Sequence, residues 1–346
     1  MKTLTTICVG ILFIVTVLCI NRLSQENAKE RHLRNLRQLT FGGENAEAYF
    51  SFDGNRLIFQ STRDGYPCDQ IYTMGLDGTG VRRLSTGRGR TTCSYFLPDG
   101  KHFIYSSTHL AGSDCPPKPS FAKGYVWAID EGFDLFLSDL EGNLTQLTRT
   151  PGYDAEATIS PDGKKIVFTS VRDGDLELYS MNIDGSEVRR LTHTLGYDGG
   201  AFFSPDSQKI VYRASHPGDE AEISHYKGLL AQNLIEPGQL ELYVMNADGS
   251  NSVQITRNHA ANFCPFFHPN GKQVIFASNL GDPSGRNFDL YLINLNGSGL
   301  EQITSNETFD GFPMFSPDGK KLVFASNRNG KVRGETNVFI ADWVDE

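Results

Sequence analysis

The stretch Ser160-Pro161-Asp162-Gly163-Lys164-Lys165-Ile166-Val167-Phe168 decides the fold. It reads as the end of one strand, a tight turn and the start of a second strand. Pro161 fixes φ and has no N–H to give to a ladder. Asp162-Gly163 supplies the turn chemistry, because glycine enters φ > 0 without steric cost. Ile166-Val167-Phe168 is a β-prone apolar run. The hairpin occurs six times, at Phe52-Asp53-Gly54, Pro98-Asp99-Gly100, Pro161-Asp162-Gly163, Pro205-Asp206-Ser207, Pro269-Asn270-Gly271 and Pro317-Asp318-Gly319. The intervals are 46, 63, 44, 64 and 48 residues. A period of about 45 with two insertions accounts for them, and that period belongs to four-stranded propeller blades.

Each unit continues in the same way. After the turn comes strand b, as in Ile166-Val167-Phe168 or Leu322-Val323-Phe324. Strand c follows, as in Glu177-Leu178-Tyr179 or Asp289-Leu290-Tyr291. A second turn, such as Asp184-Gly185, leads to a short strand d ending in Leu-Thr, as in Arg190-Leu191-Thr192. The sixth unit has no strand d. Arg37-Gln38-Leu39-Thr40, ahead of the first unit, has its pattern. The expectation is an all-β, six-bladed propeller over residues 36–346, closed by an N-terminal strand that completes the last blade. Closure removes an exposed sheet edge. An open β-solenoid is the alternative.

Residues 1–23 hold an apolar run, Ile7 to Ile20, behind Lys2, and read as a signal peptide or an uncleaved signal anchor. Residues 24–35 are polar and read as a tether. The chain is therefore expected outside the cytoplasm, in the periplasm, with any membrane attachment through this segment. The net charge is −9, without a basic stripe interleaved with aromatics, which argues against a nucleic-acid partner. There is no C-x-x-C pair, no G-x-S-x-G elbow and no P-loop.

The repeat resembles the WD40-like PD40 repeat of TolB-type propellers, over about residues 36–343. The resemblance implies the fold far more strongly than a function. TolB carries an N-terminal α/β domain before its propeller. About a dozen polar residues between leader and first blade leave no space for it here, so a TolB-like propeller without that domain is expected. Similar propellers also form oligogalacturonate lyases with a His-rich metal site.

The a–b and c–d turns share one face of a propeller; the b–c loops and d–a connections share the other. Both insertions, 107–133 in blade 2 and 215–240 in blade 4, are b–c loops. Long loops on a rigid scaffold often carry function. The connections on that face offer Tyr153, Asp154, Glu156, Tyr197, Asp198, Asn262 and Asp310 as ligand-binding candidates. Their oxygens could hold Ca²⁺ or a partner's basic side chain, or simply cap turns. His109 and His216 stand where Arg63, Arg172 and Arg328 stand in other blades. They are candidate transition-metal ligands, or ordinary loop histidines. Cys68 and Cys115 lie one blade apart on the same face and suit a disulfide, with Cys93 a competing partner and free thiols the alternative. In the blade 4 insertion, Ile223, Tyr226, Leu229 and Leu230 fall on one helical face.

Three functional expectations follow. The first is an exported propeller that binds a protein, peptide or glycan at the insertion-bearing face, with no resident cofactor. The second is a metal-dependent polysaccharide lyase or hydrolase using His109 and His216. The third is a non-catalytic scaffold of an envelope complex. The sequence fixes no oligomeric state.

Overall fold

The computed structural model describes residues 30–119 and 124–345. The leader (1–23) and most of the tether lie outside the described residues. Six four-stranded antiparallel sheets form the six blades. Blade 3 is representative: strands a to d are Asp154–Ile159, Lys165–Ser170, Glu177–Asn182 and Arg189–Arg190. The described residues are mostly β, with one helix, Glu220–Leu230.

The Ser-Pro-Asp-Gly turn folds for local reasons. The Ser160 hydroxyl donates to Asp162 at 2.6 Å, and Asp162 accepts the Lys164 N–H at 3.1 Å. The Gly163 N–H closes onto the Ser160 carbonyl at 2.8 Å, with Gly163 at φ +71°. Ser51–Asp53, Ser204–Asp206 and Ser316–Asp318 repeat the contact.

Blades join through a second repeated unit. The first or second ladder residue of each strand a gives its N–H to the carbonyl just before strand c of the preceding blade. The bonds are Thr91 to Asp69, Asp154 to Phe133, Asp198 to Leu176, Asn262 to Leu240, Asp310 to Phe288 and Asn45 to Thr336, all between 2.8 and 3.2 Å. Beside each joint, the hydroxyl that ends the strand d segment accepts the N–H of strand c's second residue. Thr148 does so for Leu135, Thr192 for Leu178, Thr256 for Leu242 and Thr304 for Leu290.

Ring closure uses the same unit. Leu33–Gln38 pairs antiparallel with Asn337–Trp343 as the outer strand of blade 6. Thr40 accepts the Val338 N–H at 2.8 Å and donates to Asn337 at 3.2 Å, while the Leu39 N–H bonds the Val338 carbonyl. The strand begins at Leu33, three residues inside the stretch read as tether. His32 extends the contact by stacking on Trp343 at 4.7 Å.

Every strand a is bulged against strand b. The bulged residues are Glu47, Cys93, Glu156, Gly200, Cys264 and Phe312, all with φ between +51° and +59°. An extra residue per strand turns these six side-chain positions toward the axis. Two residues on, Tyr49, Tyr95, Phe202 and Phe266 meet with ring centroids 5.4–6.0 Å apart and plug the channel. On the turn face below the plug, an apolar bowl of about 180 Å³ is rimmed by Pro161, Pro205, Pro269 and Pro317. The turn face is thus more than the plain scaffold its short loops imply.

Thr40→Val removes both hydroxyl bonds of the closing strand and leaves the Val338 N–H unpaired. It should destabilise the fold by about 1–3 kcal/mol. A denaturant titration should show a lower midpoint with a similar slope.

Candidate functional site

The insertion-bearing face is built as one unit. Trp127–Ala128 of the blade 2 insertion pairs antiparallel with Leu234–Ile235 of the blade 4 insertion. Cys68 and Cys115 are joined by a disulfide, with Cα atoms 5.9 Å apart, which ties the blade 2 insertion to blade 1. The helix Glu220–Leu230 is capped by Asp219, whose side chain accepts the Glu222 N–H at 2.9 Å. Its four non-exposed residues after the first turn are Ile223, Tyr226, Leu229 and Leu230, the predicted face. Tyr226 and Leu230 pack on a core that includes Ile129, Phe133, Tyr153 and Tyr197.

Beneath this cover lies a polar cluster that the sequence reading assembled only in part. Arg213, in strand b of blade 4 (Lys209–Ser215), is buried and reaches into the channel. Its Nη2 donates to Glu156 Oε1 at 2.6 Å and to the Tyr197 hydroxyl at 2.8 Å. Glu156 also accepts from Thr169, Tyr197 and the Gly200 N–H. Trp127 lies against the guanidinium, 5.2 Å from ring centroid to Cζ. Gly199 and Gly200 provide the space. A Cβ on Gly199 would stand 2.4 Å from Glu156 Oε2, and one on Gly200 would stand 2.6 Å from the guanidinium. Burial opposes the Arg213 charge, but Tyr197 and Glu156 outweigh it and hold its pKa above the ordinary arginine range.

Glu47 faces the same cavity, whose volume is about 40 Å³ and whose wall includes Cys93, Cys264 and Phe312. Protein surrounds its carboxyl, though part of the side chain still meets the void. Burial pushes its pKa up to about 7; Cys93 and Arg213 pull it down, and Glu156 adds to the rise. A void of this size suits one or two water molecules. The bulge is why this ring escaped simple alternation. Arg213 did leave a signal: strand b carries Gln60, Ser106, Thr169, Ala277 and Ala325 at its equivalents.

The predicted carboxylates do not form an open ring. Arg172 Nη2 contacts both oxygens of Asp154, at 3.0 and 3.1 Å, while its guanidinium lies over Phe168 and Tyr179. Arg328 holds Asp310 at 2.7 Å over Phe324 and Phe339. Asn262 is buried and bonds Leu240 and Asn258. Tyr153 is buried against Phe133. Asp154 and Asp310 turn into the blade joints because the arginine two residues past strand b supplies the opposite charge. Their oxygens are thereby withdrawn from a Ca²⁺ or ligand site. Glu156 and Tyr197 do come together, through Arg213.

The histidines are likewise separate. His109 Nδ1 lies 2.8 Å from Ser107 Oγ, and the ring packs on Phe136 at 4.4 Å. Burial lowers its pKa, and Arg88 adds to the effect. His216 Nε2 lies 3.0 Å from Asp198 Oδ1. Burial opposes its charge, but Asp198 outweighs it and raises its pKa. Among the described residues, no three His, Cys, Asp or Glu side chains converge on a point fit for a metal ion. The two-histidine metal site is not assembled.

Residues 126–233 match the profile described as the TolB beta propeller domain, PD40. The putative TolB structure from Agrobacterium tumefaciens superposes with a TM-score of 0.60 at 20% identity, covering 90% of this chain and 97% of that one. The chain has the six-bladed propeller fold of the TolB type. An oligogalacturonate lyase from Vibrio parahaemolyticus shares the fold, with a TM-score of 0.53 at 16% identity over 89% of this chain and 93% of the lyase. The Tol-Pal system protein TolB of Bordetella pertussis is 42% identical over 45 residues, 13% of this chain. The match spans only a tenth of that relative's length. An uncharacterised Agrobacterium fabrum protein is 29% identical over 121 residues, 35% of this chain and 34% of its own length.

The raised pKa of Glu47 has a definite sign. A carboxyl whose folded pKa of about 7 exceeds its ordinary 4.5 stabilises the fold below 4.5 and loses that contribution as pH rises through 7. Glu47→Gln should therefore melt higher than the wild type at pH 8 and show little advantage at pH 4.5. Melting temperatures of both proteins across this range check it.

Proposed function

We propose that this propeller is exported and binds a protein partner through its insertion-bearing face. The observation that carries the reading is where apolar surface is left in water. Phe41 is 73% exposed in the d–a connection, and Val332 is 69% exposed in the blade 6 b–c loop. The Gly42 N–H bonds Glu335 at 3.1 Å and the Thr336 N–H bonds the Gly43 carbonyl, which brings these two loops together. Leu110 and Tyr125 of the blade 2 insertion and Leu280 of blade 5 are also exposed on this face. The remaining exposed large apolar residues lie on or next to the outer strands. Exposed apolar groups on loops braced by a disulfide and a two-stranded link suit a preorganised protein interface.

The Cys68–Cys115 bond supports an oxidising, extracytoplasmic compartment. Residues 1–23 would direct the chain there. Among the described residues, no helix is long and apolar enough to cross a membrane, so attachment in this reading rests on that segment alone. The Bordetella relative is named for the Tol-Pal system, and a protein partner is in keeping with that name. A lyase role has the likeness of fold in its favour, but neither the 40 Å³ channel cavity nor the separated histidines favours a polysaccharide.

Photo-crosslinking in cells tests the reading. A photoreactive residue at Phe41, Tyr125 or Val332 should trap one protein species. The same residue at Lys101 or Lys164, on the turn face, should trap none. Equal trapping from both faces, or none from the insertion-bearing face, would contradict it. Retention on a polysaccharide without protein adducts would point to a glycan instead.

A further inference from the structure

The joint between blades 3 and 4 holds two buried acids. Glu177 begins strand c of blade 3, and Asp198 lies in strand a of blade 4 (Tyr197–Phe203). Their side chains are 0% and 1% exposed. Arg190 Nη2 donates to Glu177 Oε1 at 2.6 Å, and His216 occupies Asp198 Oδ1. The other two oxygens, Glu177 Oε2 and Asp198 Oδ2, are buried and find no donor. The bond from the Asp198 N–H to the carbonyl of Leu176, the residue before Glu177, sets the two acids side by side across the joint, with Thr192 beside both. Two bare carboxylates so placed cannot both stay ionised, whereas one proton between them satisfies both oxygens.

We propose that Glu177 and Asp198 share one proton, and that this proton latches the blade 3–blade 4 joint and the helix of the blade 4 insertion. The connection runs through four residues. Asp198 gives its N–H to the Leu176 carbonyl at 2.9 Å, and Leu176 bridges Tyr197. Asp175, next to Leu176, accepts the hydroxyl of Tyr226 from the helix at 2.5 Å and the Gly196 N–H at 3.0 Å. Separating Glu177 from Asp198 would pull on the peptide that anchors Tyr226.

The groups around the pair set the direction. Arg190 faces it from strand d and is shared with Asp173, 3.6 Å away, which also takes the Tyr179 hydroxyl. His216 faces it from blade 4, with its ring beside Tyr243, and Tyr212 and Thr192 complete the wall. With the shared proton, the pair, Asp173 and Asp175 carry three negative charges against Arg190 and a protonated His216. Deprotonation adds a fourth, and loss of the His216 proton removes one of the two positive charges. Burial pushes Glu177 up to about 7, with Asp198 adding to the rise, and His216 is also raised. Glu177, Asp198 and His216 all have folded pKa values above their ordinary ones. Their stabilisation is present on the acid side and lost as pH rises through neutrality.

Hydrogen exchange on the full chain at pH 6 and pH 9, corrected for intrinsic rates, tests the latch. In the wild type, protection of peptides covering 174–180 and 219–232 should fall about tenfold or more at pH 9, relative to Gln273–Ser278 of blade 5, which holds no titratable group. In Glu177→Gln the amide donates where the proton stood, and the fall should shrink to about twofold or less. Asp198→Asn places the donor on the other partner and serves if the first variant does not fold. Unchanged wild-type protection between the two pH values would overturn the proposal, as would an equal loss in a folded variant.

Discussion

One hydrogen bond repeated around the ring organises this protein: the N–H at the head of each strand a to the carbonyl ahead of strand c in the blade before. A blade alone has one apolar face against each neighbour and cannot bury both. The joint sets the neighbour's position, and the apolar faces then interlock, one cluster alone drawing residues from all six blades. The sixth joint depends on the first, because blade 6 takes its outer strand from Leu33–Gln38. Ring closure is therefore a condition on the whole fold and not an ornament of one blade.

The parts of this design that depend on short-range chemistry were legible in the sequence. The Asp162-Gly163 turn is stabilised within five residues of itself, and the Leu39-Thr40 signature matched the end of strand d in the other blades. The parts that depend on register were not. Asp154 and Asp310 looked like displayed carboxylates because Arg172 and Arg328 stand 18 residues away in sequence. Only the antiparallel pairing of strands a and b brings each arginine back over its acid. The channel ring of Glu47, Cys93 and Glu156 depends on a bulge, and an inserted residue breaks the alternation from which a strand's faces are read. Gly199-Gly200 and the lone Arg213 were the local traces of it.

The same joint explains what the two faces are free to do. Buried arginines and acids near the insertion-bearing face brace the ring, so the insertions above can be built for contact. Trp127 ties them to the interior by lying against Arg213. The aromatic plug separates the upper cavity, which holds Glu47, Glu156 and Arg213, from the bowl below, so the channel is two chambers instead of a pore. In the upper chamber burial raises the Glu47 pKa, whereas for Arg213 the contacts with Tyr197 and Glu156 outweigh burial and hold it charged.

The measurement that bears most directly on this account is thermal unfolding of two shortened chains, one beginning at residue 30 and one at residue 42. The first retains the closing strand and should unfold in a single cooperative transition. The second leaves the edge of blade 6 open and should lose that cooperativity or self-associate. Indistinguishable cooperative unfolding of the two chains would contradict closure by the N-terminal strand as the constraint on which the ring depends.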